Sequence, residues 1–147
     1  MYRFLDRPVP ELDGTSRLLV WAMRGWVVDA QAGRCACARL RPVFAAARLG
    51  PALRDFSMAM HLLNREGTGR LHFCRPDCAR IGDDEARLLA LFAAAIEGAP
   101  EFERMASQLV REPWVPALQH ALDELAGALW NAPVPHDFPI NWTRDSL

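Results

Sequence analysis

Val115, Leu118, Leu122, Leu125 and Leu129 recur at intervals of three and four residues. A chain carrying that stripe has to bury one face of a helix, because only the 3.6-residue period lines such positions up. Pro113 and Pro116 fall at its first turn, where proline's missing backbone N–H costs no hydrogen bond. A coiled-coil seam would need more heptads than this run provides, so the stripe reads as core.

The rest of the chain follows the same period. Leu19, Ala22, Met23, Trp26 and Ala30 share one face of a helix that Thr15 or Ser16 can cap and that stops near Gly33. A second helical stretch begins around Pro42 and runs through residues 44–49. Gly50-Pro51 breaks it, and it resumes with Leu53, Phe56, Met60 and Leu63 on one side. Asp83 caps a helix over 83–98, with Asp84 and Glu85 adding negative charge at its positive end. That helix carries two apolar stripes, Leu88/Leu91/Phe92/Ala95 and Leu89/Ala93/Ile96, which predicts the central, most buried position. Gly98 ends it, and Pro100 opens another helix whose buried face is Phe102, Met105, Ala106 and Leu109.

Composition agrees. Alanine (23) and leucine (19) dominate, while isoleucine (3), threonine (3) and tyrosine (1) are scarce, so helix formers outweigh residues suited to a pleated sheet. The predicted fold is all-α: a single domain over 1–147, a bundle of five or six helices. Residues 1–14 read as an extended N-terminal arm, and 70–82 as an irregular connector with a short extended piece at residues 71–73. Residues 132–147 read as an extended proline-rich tail, laid across the bundle because it carries Val134, Phe138, Ile140 and Trp142.

Several chemistries are excluded. All 17 basic residues are arginine, so a GxxxxGK[ST] phosphate loop and a lysine Schiff base have no lysine to use. No GxSxG, HExxH, GxGxxG or EF-hand pattern occurs. The longest apolar runs, 18–23 and 88–96, fall short of a membrane span, and 1–14 has no leader-like apolar segment. A cytoplasmic protein with reduced thiols is therefore expected.

The net charge of −1 is unevenly spread. Residues 34–87 hold ten arginines against six acids, and 88–147 hold three against eight. Ion pairs between segments are the expected use of this asymmetry. An Arg-rich nucleic-acid surface, with Arg34, Arg39, Arg41, Arg48, Arg65, Arg70, Arg75 and Arg80, is the alternative, and a pI near 6.4 weighs against it.

Cys35, Cys37, Cys74 and Cys78 are the one chemically pointed constellation. Four thiolates in two connectors match the number tetrahedral zinc requires, and His61 or His72 can replace a sulfur. Cys74-x₃-Cys78 fits zinc spacing. Cys35-x-Cys37 is tight, since an extended strand would point its sulfurs to opposite faces. Plain packing of small apolar side chains is the favoured account of the cysteines. Thiol chemistry is a further reading, placed at Cys74 and Cys78 because Arg75 and Arg80 flank them near a helix start. The four histidines are scattered, and five tryptophans suit either core packing or protein contacts.

The run LLVWAMRGWVVDA, with Cys74, Cys78 and DDEARLLALF, resembles a small family of uncharacterised bacterial helical domains. The resemblance covers about a quarter of the chain and implies a helical fold, with no activity, cofactor or catalytic residue attached. The functional expectation is a noncatalytic bacterial interaction or regulatory module with a protein partner or a second copy of itself. A zinc-stabilised domain and a nucleic-acid binder are the alternatives.

Overall fold

A computed structural model describes residues 3–140. Among these the architecture is all-α: six α-helices joined by short connectors and three single 3₁₀ turns. The helices are Gly14–Gln31 (α1), Cys37–Ala46 (α2), Leu53–Arg65 (α3), Asp83–Glu97 (α4), Phe102–Leu109 (α5) and Val115–Asn131 (α6). No helix is long and apolar enough to cross a membrane, among the described residues.

The two helices with the strongest patterns form the middle of the bundle. α6 lies against both α3 and α4, and buries Leu118, Leu122, Leu125 and Leu129. α4 buries Leu88, Leu89, Ala90, Leu91 and Phe92 in unbroken succession, so it is enclosed on nearly all sides, as its double stripe predicts. Phe92 stacks on Phe56 of α3, with ring centroids 6.5 Å apart, and Phe56 meets Phe44 of α2 at 5.6 Å. This aromatic chain links three helices across the core, which is where such rings bury most area. Gly98 closes α4 in the left-handed conformation, φ 64°, that glycine adopts without steric cost.

Four boundaries differ from the sequence expectation, each for a local reason. α1 is capped by Asp13, whose carboxylate accepts from the Ser16 N–H at 3.2 Å; Thr15 and Ser16 lie inside the first turn. Asp13 sits where an N-cap carboxylate reaches the N3 amide, and Thr15 is drawn to the tail. α2 starts at Cys37 rather than near Pro42, which is interior to it. Pro42 withholds its N–H only from the carbonyl of Ala38, an exposed residue whose oxygen water can satisfy. Residues 3–13 form turns and a 3₁₀ turn at Val9–Glu11 instead of an extended arm. Phe4, Val9 and Leu12 are buried there, so apolar area holds the segment on the bundle. α4 is capped at Gly82 rather than by Asp83, which lies inside the helix, because Glu85 in the first turn accepts the Gly82 N–H at 2.9 Å.

The described part of the tail runs over the start of α1. The Thr15 hydroxyl receives the Val134 N–H at 3.2 Å, Arg17 donates to the His136 carbonyl at 2.6 Å, and Val134 is buried. Gly14 makes the crossing possible: a Cβ there would strike the carbonyl oxygens of Val134 and Pro135. Trp142, expected to join this packing, lies outside the described residues.

Candidate functional site

Three of the four cysteines lie in two connectors and Cys37 opens α2, and each connector is organised around a buried carboxylate. The second connector, 66–82, closes on Glu85 in the first turn of α4. Glu85 is fully buried and faces Arg24 of α1, itself 1% exposed, in a bidentate pair of 2.7 and 3.0 Å. Two charges in an apolar core are tolerated only when their remaining hydrogen-bonding capacity is also met. Arg24 meets that condition by donating to the carbonyls of Cys78 at 2.8 Å and Arg80 at 2.9 Å. Glu85 meets it by accepting the N–H of Gly82 at 2.9 Å and of Cys74 at 3.2 Å. The segment 7–9 adds an outer layer, since Val9 donates to the Ala79 carbonyl and Ile81 to that of Arg7.

The charges are fixed accordingly. Burial works to raise the Glu85 carboxyl, and Arg24 with the Gly82 amide outweighs it, holding Glu85 below its ordinary range. Burial likewise works to lower Arg24, and Glu85 reverses it, so the guanidinium stays charged. The opposite happens to the nearest thiol. Cys74 is half-buried beside the Glu85 charge, and burial, then that charge, push it up to about 12. Its neighbour Cys78, turned toward it, donates to the Arg80 carbonyl at 3.5 Å.

The first connector, 32–36, closes on Asp29 near the end of α1. Asp29 is 2% exposed and receives Arg39 of α2 through two nitrogens, at 2.6 and 2.7 Å, and Arg34 at 3.1 Å. The Arg39 hydrogen bonds are the chief reason its carboxyl lies below the ordinary range. Gly33, φ 72°, turns the chain between the helices. Cys35 then stands in water just before α2, with the Cys37 and Ala38 N–H groups and the Cys37 thiol turned to its sulfur. The Cys37 amide is the main cause of its lowered thiol pKa, the effect expected of a helix start. Cys37 is half-buried, its sulfur 3.6 Å from the Ser57 hydroxyl of α3.

The four cysteines considered as zinc ligands thus remain two pairs, Cys35/Cys37 and Cys74/Cys78. Among the described residues, no three His, Cys, Asp or Glu side chains are grouped so as to hold a metal ion. His61 meets the Trp26 ring edge-on at 5.1 Å, and the His72 backbone N–H goes to Asp84. The arginines grouped by sequence are partly committed inside the molecule: Arg34 and Arg39 to Asp29, Arg75 to Asp77, and Arg80 to the Asp6 carbonyl. Ion pairs do join distant segments, Arg3 with Glu97 and Arg111 with Glu66 among them.

The sequence places Asp84 and Glu85 as negative charge at the start of α4, and gives Arg24 no role. The signal for the pair was Arg24 itself, one charge inside the apolar run LLVWAMRGWVV.

Among the described residues, an apolar concavity with an exposed tryptophan at its edge lies along α4. A groove follows α4 between the residues 3–4, α1 and α6, with a cleft of about 360 Å³ over Leu19, Leu89, Phe92 and Ile96. Trp130 lines it while 68% exposed. Among the described residues, Trp21 and Trp26 are buried in the core, whereas Trp114 and Trp130 are exposed. Comparison with protein-family models, with curated proteins and with solved structures finds no match to this chain.

Proposed function

We propose that this protein is a noncatalytic interaction module that pairs with a second copy of itself through the groove along α4. Trp130 carries the reading: a large aromatic, 68% exposed, stands beside an apolar cleft of about 360 Å³. Such a side chain is a knob next to a hole. Under a twofold axis each copy's knob enters the other's hole, the self-complementarity an isologous interface requires. Arg3, Asp13 and Glu97 give the rim both signs of charge, which suits a surface meeting itself. Aromatic anchors in desolvated pockets are also where interface energy concentrates.

Light scattering after size-exclusion chromatography, over a concentration series, tests the proposal. A monomer–dimer equilibrium with Kd of about 1 mM or tighter is expected. Trp130→Ala should weaken it at least about tenfold, one hot-spot side chain being worth that much, with the melting temperature unchanged. A monomer throughout the series overturns it.

A further inference from the structure

A second cleft, of about 420 Å³, opens between the C-terminal half of α1, the end of α3 and the connector 66–82. None of its residues lines the groove along α4, so a ligand here leaves that surface free. Its floor is apolar and already packed, since Trp26 of α1 and Met60 and Leu63 of α3 belong to the core. The Trp26 ring stands at a right angle to that of His61, with centroids 5.1 Å apart, so its orientation is set before anything binds. The outer wall is formed by residues 69–71 and Phe73, and it is fastened at both ends. At one end the Thr68 N–H donates to the Leu109 carbonyl at 3.0 Å, and its hydroxyl to the Gln108 carbonyl at 2.7 Å. At the other, the His72 N–H reaches the Asp84 carboxylate at 2.7 Å and the Cys74 N–H reaches Glu85 at 3.2 Å. A cleft whose walls stand ready binds without the cost of ordering them.

The charge on this cleft has one sign. Among the described residues Arg70 is the one charged side chain that lines it, and Arg70 has no ion-pair partner among them. Gln31 and Asn64 add side-chain amides that can donate hydrogen bonds. Glu66, the acid of the same connector, is taken by Arg111. The groove along α4 differs, because Arg3, Asp13 and Glu97 line it with both signs.

We propose that this cleft binds a small aromatic carboxylate, its ring against Trp26 and Phe73 and its carboxylate on the Arg70 guanidinium. Three observations select that chemistry. An uncompensated guanidinium matches a carboxylate through two parallel N–H···O bonds. Two aromatic side chains in an apolar cleft favour a ring over a plain alkyl chain. The volume lies in the range of about 300–1,000 Å³ that small-molecule sites occupy.

Phenylbutyrate is the probe, titrated into the isotope-labelled full chain and followed by two-dimensional NMR. The Trp26 indole and the Gly69, Arg70 and Leu71 amides should shift together, with a Kd of about 1 mM or tighter. Arg70→Gln should weaken binding at least about tenfold, because a hydrogen-bonded charge is lost, and Arg70→Lys should recover part of it. Phenylbutylamine, with its charge reversed, should bind at least about tenfold more weakly, and octanoate, without a ring, about threefold or more. Ala30→Phe sets a ring into the cleft from the α1 wall and should abolish the shifts. Far-UV circular dichroism of each variant separates loss of binding from loss of fold. Binding untouched by Arg70→Gln overturns the proposal, as does an amine or octanoate that binds as tightly as phenylbutyrate. Shifts at Leu89, Phe92 and Trp130 in place of Trp26 and Gly69 put the probe in the α4 groove and overturn it too. So does the absence of any shift at about 10 mM probe, tenfold above the weakest Kd expected.

Discussion

The two connectors are built alike and end up opposite. Each has two cysteines in it or at its edge, and each closes on a buried carboxylate gripped by arginine. In the first, both arginines are near neighbours of Asp29 in sequence, and Arg34 is 57% exposed. In the second, Arg24 reaches Glu85 from another helix across 61 positions, and neither partner sees water. The first arrangement staples a helix turn at the surface and leaves Cys35 open. The second holds four backbone groups of its connector around a charge pair and shuts one thiol beside a negative charge. What separates them is where the cation comes from, since a long-range partner drags the site inside.

The sharpest way to break this comparison is to remove one half of the interior pair. Glu85→Ala leaves Arg24 charged and buried, and should destabilise the fold by about 3–5 kcal/mol, read as a fall in melting temperature. Hydrogen exchange should rise first at residues 74–82, whose amides and carbonyls the pair holds. A loss below about 1 kcal/mol would place this pair with surface salt bridges instead. Acid titration probes the same pair. Because Glu85 titrates below its ordinary 4.5 in the fold, its contribution is complete above that pH and is lost as pH falls through the lower, folded value. Glu85→Gln should flatten that part of the stability profile.

Asp29→Asn should cost less, about 1–2 kcal/mol, because water can reach Arg34 when its partner weakens. Native thiol alkylation with iodoacetamide should rank Cys35 first and Cys74 last, by at least about tenfold, with the ranking erased in urea. Peptide mapping reads both rates, and equal native rates would remove the contrast between the connectors. Arg34→Ala should change stability by no more than about 0.5 kcal/mol, since Arg39 keeps its two-pronged hold.

The parts of the fold legible in the sequence are those decided by local periodicity. The α4 and α6 stripes name their own buried residues, and Gly98 announces its own turn. The less legible parts depend on residues far apart. Nothing near Asp83-Asp84-Glu85 distinguishes the acid that turns inward from its two neighbours, because the distinction is made by Arg24. Likewise nothing near Cys35-Ala-Cys37 says whether Ala36 is helical, and helix α2 begins earlier than Pro42 suggests. Asp13 is different: it was a local signal, hidden by two hydroxyl residues that cap equally well in general.

The crossing of residues 134–136 over Gly14 sets an order of events during synthesis. The hydrogen bonds that fasten the first turn of α1 come from positions 119 residues further along the chain. Loops of that length close late, and parts with local contacts assemble sooner. On the ribosome, α1 therefore begins life with an unfinished end. It acquires its fastening only when residue 134 has emerged, so a pause in translation before that point should yield a bundle whose first helix frays at its start.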